Sequence, residues 1–273
     1  MGKLKISVII STYNAPKWLE KVLYGYSIQT YKNFEIVIAD DGSKNSTKKL
    51  IDSFRDKYPF PINHVWHEDN GFQKSKILNK AIVQCQSPYI IMSDGDCIPR
   101  KDFIEVHNNH KKDGYFLSGG YFMLPMNISK FISKDDIISN RCFDINWLKK
   151  NNLKPSFSTN KLTSKGLKSK ILNSVTTTKA TWNGHNASGW KKDIIDVNGF
   201  DERMQYGGQD RELGERLVNS GIKSKQIRYS AIVIHLDHPR GYANKESWTI
   251  NNNIRLKTRN DKVIRSTFGI EKL

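Results

Sequence analysis

The sequence predicts an α/β protein built on a mostly parallel, Rossmann-like sheet with helices on its faces. In residues 1–100, short apolar runs that suit buried strands alternate with amphipathic helical segments. Acidic or polar turns follow these runs directly, and parallel sheets bind their ligands beyond the carboxyl ends of the strands. We therefore expect the chemistry of this protein at that edge of the sheet.

The elements of this half follow from local patterns. The first strand, 6–10, leads into a helix that Asn14 is expected to cap, with Pro16 in its first turn. The apolar face of this helix includes Trp18 and Val22, which are spaced i, i+4. The elements predicted after it are a strand at 34–39, a helix buried through Leu50, Ile51 and Phe54, a strand at 62–67, a helix with Ile77, Ala81, Ile82 and Cys85 on one face, and a strand at 89–93.

Length and composition narrow the class of protein. A chain of 273 residues, 37% of them hydrophobic, buries a full core and suits one large α/β domain, with or without an added lobe. No apolar run approaches the roughly 20 residues that span a bilayer. The start of the chain lacks a signal-peptide pattern, so the expected compartment is the cytosol. Cys85, Cys97 and Cys142 lack metal-ligand spacing and are expected to be free thiols.

The charge of the chain indicates an anionic partner. A formal net charge of +17 suits nucleic acid, a membrane surface or a phosphorylated substrate, and charge alone leaves these open. In the segment 127–181 the strand and helix pattern weakens, and no acidic residue stands between Asp144 and Asp193. This basic insertion is predicted to be either solvated and mobile or in contact with an anionic acceptor or membrane lipid.

Two carboxylates emerge together at Asp94-Gly95-Asp96, where the apolar strand at 89–93 ends. Mg²⁺ and Mn²⁺ prefer oxygen ligands, and Mg²⁺ commonly takes one or two protein carboxylates together with phosphate and water. An isolated Asp-x-Asp string is most often a surface turn. The position of this one after a buried strand favours a binding site for a divalent cation and a diphosphate. We expect Asp96 to reach the metal while Asp94 faces the ribose or a residue behind the metal.

Adjacent carboxylates, Asp40 and Asp41, also follow the strand at 34–39. Asp-Gly-Ser is ordinary turn chemistry. Two neighbouring carboxylates nevertheless repel each other unless a hydrogen-bond donor is supplied, and a nucleobase imide or a ribose hydroxyl is such a donor. The polar segment Ser11-Thr12-Tyr13-Asn14 ends the first strand and is expected alongside, with Tyr13 placed to stack on a base.

Later in the chain, Asp210 follows the pair Gly207-Gly208 at the start of a predicted helix. The glycines allow close backbone approach to a ligand, and a carboxylate there suits a general base, the alternative being a helix cap. His235 directly follows a predicted strand at 227–234, and His238 stands three residues later. Both histidines suit a plain loop, but beside an acidic pair His235 is the preferred additional metal ligand and His238 the second choice.

Four motifs stand in an order and spacing that resembles glycosyltransferase family 2, whose fold is the GT-A fold. The resemblance covers about residues 4–240. The part from Gly184-His185-Asn186 to His235 is similar to the C-terminal portion of galactosyltransferase and chondroitin-polymerase domains. The motifs are Ser11-Thr12-Tyr13-Asn14, Asp40-Asp41-Gly42-Ser43, Asp94-Gly95-Asp96 and Gly207-Gly208-Gln209-Asp210.

The resemblance implies roles for individual residues. Asp210 would be the catalytic base, and Asp96 would bind Mn²⁺ or Mg²⁺, to which His235 is the additional ligand expected from its position. Family members commonly have glutamate where this chain has Gln209, and often arginine where it has Leu78. Because of the second departure, Lys74 or Lys76 is expected to neutralise the diphosphate. The nucleotide-sugar-binding residues implied are Ser11, Tyr13, Asn14, Asp41, Lys76, Asp94, Asn186 and Gly208.

The activity implied by the resemblance is an inverting transfer of a sugar from a nucleotide diphosphate sugar to a hydroxyl of a glycan or glycolipid. UDP-Gal, UDP-Glc or an N-acetylhexosamine form is the expected donor, and cell-surface polysaccharide or lipooligosaccharide synthesis the expected setting. The alternatives are a metal-dependent nucleotidyltransferase, which would release pyrophosphate, and a basic nucleic-acid-binding protein. The chain has no recognisable nucleic-acid-binding module, so nucleic acid is not an expected partner.

The expected domain organisation follows the same resemblance. A GT-A domain spans 1–245, with a nucleotide-binding half at 1–100 and an acceptor and catalytic half at 101–245 that contains the basic insertion. A basic helical tail occupies 246–273. We expect a cytoplasmic enzyme that contacts the anionic inner face of the cell membrane peripherally.

Overall fold

The computed structural model describes residues 5–154, 156–239 and 245–271. In chain order the strands are β1 (Ile6–Thr12), β2 (Phe34–Asp40), β3 (Ile62–Trp66), β4 (Tyr89–Asp94), β5 (Cys97–Pro99), β6 (Tyr115–Ser118), β7 (Gly120–Met123), β8 (Ala187–Trp190), β9 (Lys223–Gln226) and β10 (Ile232–His235). The α-helices are α1 (Pro16–Ser27), α2 (Asn45–Arg55), α3 (Lys74–Gln84), α4 (Phe103–His110), α5 (Met126–Phe131), α6 (Lys134–Ile138), α7 (Ile145–Lys150), α8 (Asn160–Thr163), α9 (Gly166–Val175), α10 (Lys191–Asp196), α11 (Gln209–Asn219) and α12 (Lys245–Asn260).

The strands form two sheets. The larger sheet has the order β3-β2-β1-β4-β8-β6-β9, in which the first four strands are parallel and β8 runs antiparallel to both of its neighbours. The smaller sheet has the order β5-β10-β7. The predicted α/β fold, with a mostly parallel central sheet and flanking helices, is confirmed.

Both faces of the larger sheet are buried. Val8 and Ile10 of β1 belong to a core cluster shared with α1, α2 and α4, whereas Ile9 belongs to a second cluster shared with α3 and α11. Successive side chains of a strand point to opposite faces, so this division shows helices packed on each side. The parallel strands are thereby fixed on both faces, and their carboxyl ends stand at defined positions along one edge.

The predicted strand at 227–234 is wrong in length and in place. Residues 228–230 form a turn, and β10 begins only at Ile232. The antiparallel pairing of β10 with β5 sets His235 opposite Cys97. His235 therefore approaches the acidic turn after β4 from the end of β10 in the smaller sheet, where β10 runs parallel to β7, and not from a strand of the larger sheet.

The start of α1 also differs from expectation. Pro16 is its first residue, as predicted, but Ala15 is the N-cap and no side chain caps the helix. Asn14 instead adopts a left-handed conformation, with φ 47°. Its side-chain oxygen accepts a hydrogen bond from the Lys44 backbone N–H at 2.9 Å, which ties this loop to the turn after β2.

The basic segment 127–181 contains the short helices α5 to α9 rather than an irregular loop. Ile128, Ile132 and Leu148 are buried in the larger core cluster, which anchors the segment to the sheet. Among the described residues no helix has the length and apolar character needed to cross a membrane.

A buried ion pair within α11 joins this helix to its surroundings. Arg216 and Glu212 are almost completely buried, and Arg216 Nη2 lies 2.7 Å from Glu212 Oε2. Arg216 also donates to the carbonyls of Val197 and Gly199, and Thr258 of α12 donates to Glu212 Oε1 at 2.9 Å. One pair of charges thus connects α11, the loop before it and the C-terminal helix.

We predict that Glu212→Ala destabilises the protein by about 3–5 kcal/mol, because it leaves the buried guanidinium of Arg216 without its carboxylate. Urea unfolding followed by circular dichroism measures the change in the free energy of unfolding. The exposed i, i+4 pair Lys192–Asp196 offers a matched control, and Asp196→Ala should cost only a small fraction of that loss. Equal losses in the two variants would contradict the structural role given to the buried pair.

Candidate active site

A cavity of about 950 Å³ opens at the carboxyl ends of β1, β2 and β4. It lies where the sequence predicts chemistry, and it collects side chains that are far apart in the chain. The predicted site residues that line it are Ser11, Tyr13, Asn14, Asp41, Asp94, Asp96, Asp210 and His235.

Lys74 stands at the centre of this acidic group. Its ammonium nitrogen lies 2.7 Å from Asp94 Oδ1. Burial alone would lower the pKa of Lys74, but the carboxylates of Asp94 and Asp210 outweigh burial and raise this pKa above its ordinary value. Lys76 was expected here and does not line the cavity, because the first turn of α3 directs Lys74 toward the carboxylates instead. Lys74 therefore takes the place assigned to Lys76.

Asp94 is held in its ionised form. Burial would raise the pKa of Asp94, but Lys74 and a 2.6 Å hydrogen bond from Ser11 Oγ reverse that effect and hold this pKa well below its usual range. The backbone N–H of Gly95 donates to the Ser11 carbonyl at 2.7 Å, which fixes the turn beside it. The ends of β1 and β4 thus form one preorganised acidic corner.

The two carboxylates after β2 point to different places. Asp40 accepts from the Ser43 backbone and faces His64, whose Nε2 lies 2.8 Å from Asp40 Oδ2, so it stabilises the turn. Asp41 lines the cavity and lies 2.7 Å from His67 Nε2. The hydrogen-bond donors that relieve the repulsion between Asp40 and Asp41 are therefore histidines of β3 and of the loop after it. The sequence pattern suggested a bound ligand as the donor. Burial raises the pKa of Asp41.

The aromatic wall of the cavity includes Tyr13, Trp18, Phe72 and Tyr206. Tyr13 is about half exposed, and its hydroxyl donates to Asp69 Oδ2 at 2.8 Å, which leaves the ring face at the cavity rim. A planar base would find stacking partners here.

Asp96, His235 and His238 gather at one side of the cavity. His238 Nε2 lies 2.9 Å from Asp96 Oδ2, and His235 Nε2 lies 3.7 Å from Asp96 Oδ1. Ligand atoms of Asp96, His235 and Cys97 also lie within 4.8 Å of one another. Burial raises the pKa of the Cys97 thiol well above its usual range, so this sulfur is a neutral thiol and a poor ligand for a hard cation. A carboxylate with imidazole nitrogens suits Mn²⁺ better than the thiol does.

Asp210 enters the cavity from the second position of α11. Gly208 is the N-cap, with φ 86°, and Gly207 has φ 108°, so this turn uses a backbone conformation that favours glycine. A Cβ atom at Gly207 would also lie 2.8 Å from the Trp248 ring of α12. Asn251 of α12 donates to the Gly207 carbonyl at 2.7 Å. Asp210 is therefore not the helix cap, and α12 supports the turn that carries it.

The carboxylate of Asp210 is poised as a base. Burial raises the pKa of Asp210 to about 6, while Lys74 acts in the opposite direction. The backbone N–H of Gly184 also lowers the pKa of Asp210, but the buried Oδ1 atom forms no hydrogen bond of normal geometry with the described residues. A buried oxygen without a donor is costly unless a ligand supplies one. The position suits the hydroxyl of a bound molecule.

Besides Lys76, two predicted nucleotide-sugar contacts do not line this cavity. Asn186 is completely buried, and its side chain donates to the carbonyls of Gly120 and Ala231 at 2.7 and 3.0 Å, so it joins β7 to the residue before β10. Gly208 lines a neighbouring cavity of about 400 Å³. Asp210 is the one described residue that lines both cavities.

Comparison with known proteins identifies the family. The model of glycosyl transferase family 2 matches residues 7–159, which is more than half of the chain. The chain belongs to glycosyltransferase family 2. The family 2 resemblance expected from the four motifs is thereby confirmed.

Curated relatives share this assignment over part of their length. An uncharacterized glycosyltransferase of Bacillus subtilis, YfnE, is 23% identical over 269 residues, which cover 86% of this chain and 66% of that protein. Against the first three curated relatives, the chain spans from 30% to 66% of their length.

Solved structures show the same fold. A mannosyltransferase from Pyrobaculum calidifontis, in complex with GDP-Man and Mn²⁺, has a TM-score of 0.61 at 17% identity and covers 96% of this chain and 64% of its own. Residues 1–349 of Staphylococcus aureus TarS, in complex with UDP-GlcNAc, give a TM-score of 0.63 at 17% identity, covering 94% of this chain and 67% of that one.

Proposed function

We propose that this protein transfers a sugar, with inversion, from a nucleotide diphosphate sugar to a hydroxyl of a glycan acceptor. The observation that carries the proposal is the position of Asp210, which lines both the cavity with Asp94 and Asp96 and a second cavity, and whose Oδ1 has no hydrogen-bond partner of normal geometry among the described residues. A base that borders two cavities suits a reaction in which the donor occupies one cavity and the acceptor the other. Nucleotide sugars bound to fold neighbours, GDP-Man and UDP-GlcNAc, support a donor of this class.

In the proposed reaction, Asp210 accepts the proton of the acceptor hydroxyl as its oxygen attacks the anomeric carbon. The bond from that carbon to the donor phosphate oxygen breaks, and the nucleoside diphosphate leaves. Attack opposite the leaving group inverts the anomeric configuration, so an α-linked donor gives a β-linked product. Lys74 lies beside Asp94 and within the field of Asp210, where it suits the developing charge of the diphosphate.

The nucleoside end of the donor is assigned to the opposite part of the cavity. Asp41 offers a carboxylate oxygen to a base imide or a ribose hydroxyl, and Ser11 orients Asp94 toward the ribose. Tyr13 and Phe72 supply ring faces to the nucleobase. Uridine remains our proposed nucleoside because these residues carry the family motifs.

A divalent cation, Mn²⁺ or Mg²⁺, is proposed at Asp96 with His235 and His238. When bound, such a cation stabilises the negative charge of the departing diphosphate. The carboxylate and imidazole donors fit it, and Asp96 is on the same side of the cavity as Lys74. The Mn²⁺ in the complex of the Pyrobaculum calidifontis enzyme supports this assignment.

We propose that α9 contacts an anionic membrane peripherally. The polar face of this helix packs against the protein, and its apolar face is exposed. Ser169 and Asn173 face the protein, where Asn173 Oδ1 accepts from the Tyr229 backbone at 2.9 Å and Ser230 Oγ lies 3.3 Å from Ser169 Oγ. The apolar residues Leu167, Ile171 and Val175, spaced i, i+4, are 73%, 51% and 66% exposed. The exposed lysines on and before this helix are Lys165, Lys168 and Lys170.

Helices with an exposed apolar stripe flanked by lysines bind in the interface of anionic bilayers. An anionic membrane surface is therefore the proposed partner of α9. Acceptors attached to such a surface would be presented close to the active-site cavities, since α9 contacts residues just after β9.

We predict that Asp210→Asn lowers turnover by about 10²- to 10⁴-fold, the usual contribution of a general base. The measurement is release of nucleoside diphosphate from a panel of nucleotide sugars with Mn²⁺ and acceptor. Because the pKa of Asp210 is raised to about 6, it is protonated below that pH and cannot accept a proton. The wild-type rate should therefore rise with pH through about 6 and then level off, and this rise should be absent from the variant.

Asp193→Asn, which removes a carboxylate that lines neither cavity, is the matched control and should keep the wild-type rate. Full turnover in Asp210→Asn would reject the base assignment. Release of pyrophosphate in place of nucleoside diphosphate would indicate a nucleotidyltransferase.

We predict that Asp96→Asn weakens Mn²⁺ binding in the presence of UDP by at least about tenfold, because it replaces an anionic ligand with a neutral amide. Electron paramagnetic resonance of free Mn²⁺ measures the affinity. Asp237→Asn changes a nearby carboxylate that does not line the cavity, and it should bind Mn²⁺ as the wild type does. Unchanged affinity in Asp96→Asn would place the cation elsewhere.

We predict that replacing Leu167, Ile171 and Val175 with serine lowers binding to phosphatidylglycerol-containing vesicles by at least about tenfold, since burying each apolar side chain contributes on the order of 1.5–3 kcal/mol. Vesicle sedimentation measures the bound fraction. Serine at Val83 and Val218, which are also exposed, forms the control. Wild-type protein that fails to sediment with these vesicles at low salt would exclude the membrane contact.

A further inference from the structure

The second cavity, of about 400 Å³, has an unusual electrostatic lining. Asp210 is the one acidic residue among the described residues that line it. The basic residues that line it are Lys161, Lys179, Arg211 and Arg228. They come from distant parts of the chain, namely the basic segment, the start of α11 and the turn after β9.

Hydrogen bonds hold two of these cations at the cavity wall. The Lys161 ammonium donates to the Tyr121 carbonyl at 2.8 Å and lies 5.0 Å from the centre of the Tyr121 ring. The Arg228 guanidinium donates to Thr178 Oγ1. Neither side chain forms an ion pair with a carboxylate of the described residues within 4.0 Å. The cations are positioned by neutral groups and retain capacity for an anion.

Without a bound ligand, the grouping of these basic side chains is electrostatically unfavourable. Burial, with a further contribution from the charge of Arg228, lowers the pKa of Lys161 to about 8. Like charges in a partly buried site repel each other, and a bound anion converts that repulsion into attraction. The geometry therefore favours a ligand that brings negative charge.

The position of the second cavity beside Asp210 indicates whether the anionic ligand is the donor or the acceptor of the proposed reaction. The diphosphate of the proposed donor has Lys74 and Asp96 in the first cavity, and neither residue lines the second cavity. An inverting attack requires the acceptor hydroxyl to reach Asp210 from the side opposite the leaving group. Asp210 is the one described residue that lines both cavities, so an acceptor in the second cavity borders the base while the donor occupies the first; this step rests on the proposed glycosyl transfer.

We propose that the second cavity binds an acceptor that carries an anionic group, a phosphate or a carboxylate, close to the hydroxyl that receives the sugar. Lys161 and Arg228 bind the anion, and Lys179 and Arg211 border it. A polyol phosphate chain and a uronic-acid saccharide share this chemistry. A neutral saccharide leaves the basic residues without partners, so the cavity discriminates against it.

The test is calorimetric titration of the wild-type protein with methyl phosphate, methyl glucuronide and neutral methyl glucoside. We expect saturable binding of at least one anion, and weaker binding of the glucoside. The variant Lys161→Gln/Arg228→Gln should bind that anion at least about tenfold more weakly, because it loses two charge-assisted hydrogen-bond donors. Comparison of the two anions tells a phosphate-bearing acceptor from a uronic acid.

Two further variants separate charge from folding. Lys149→Gln/Lys150→Gln removes two exposed lysines of the same segment that do not line the cavity, and it should bind anions as the wild type does. Lys161→Arg/Arg228→Lys keeps both charges and should retain most of the affinity. If the glutamine double variant melts early, Lys161→Gln alone gives the comparison.

The proposal is overturned if neither anion binds the wild type, if the glucoside binds as tightly, or if the glutamine variant keeps full anion affinity. These results are independent of the transfer reaction. Failure to release nucleoside diphosphate from any nucleotide sugar would instead overturn the proposed function, whatever the anions do.

Discussion

One partly buried ammonium group, that of Lys74, allows several carboxylates to share a single cavity. Asp94 contacts it directly, and Asp96 and Asp210 act on it through their fields. Without a cation, neighbouring carboxylates of this kind would repel each other and take up protons. With it, Asp94 stays ionised while the more isolated Asp210 has a pKa of about 6. The ammonium of Lys74 thus keeps Asp94 ionised as a binding group, while the higher pKa of Asp210 suits a base.

The position of Asp210 depends on packing far from the cavity. The glycine turn before α11 has positive φ values and is covered by Trp248 and Asn251 of α12. The buried pair of Glu212 and Arg216 then fixes the following turn of the helix. Core packing, backbone conformation and a C-terminal helix together place one carboxylate where it lines two cavities, which links the stability of this region to its proposed chemistry.

The sequence predicts the fold and much of the first cavity because both depend on local patterns. Apolar runs identify parallel strands, and the acidic turns after β2 and β4 follow from strand ends. Local sequence patterns do not predict contacts between distant segments. The pairing of Asp41 with His67, the choice of Lys74 over Lys76 and the burial of Asn186 depend on helix rotation and on loops whose geometry local patterns do not determine.

The most direct test of this account is a crystal structure with a nucleotide diphosphate sugar and Mn²⁺. We expect the diphosphate between Lys74 and Asp96, the base beside Tyr13 and Asp41, and the anomeric carbon facing Asp210 across the opening to the second cavity. A nucleotide bound outside this cavity, or a sugar directed away from Asp210, would contradict the central claim that these carboxylates act on one donor.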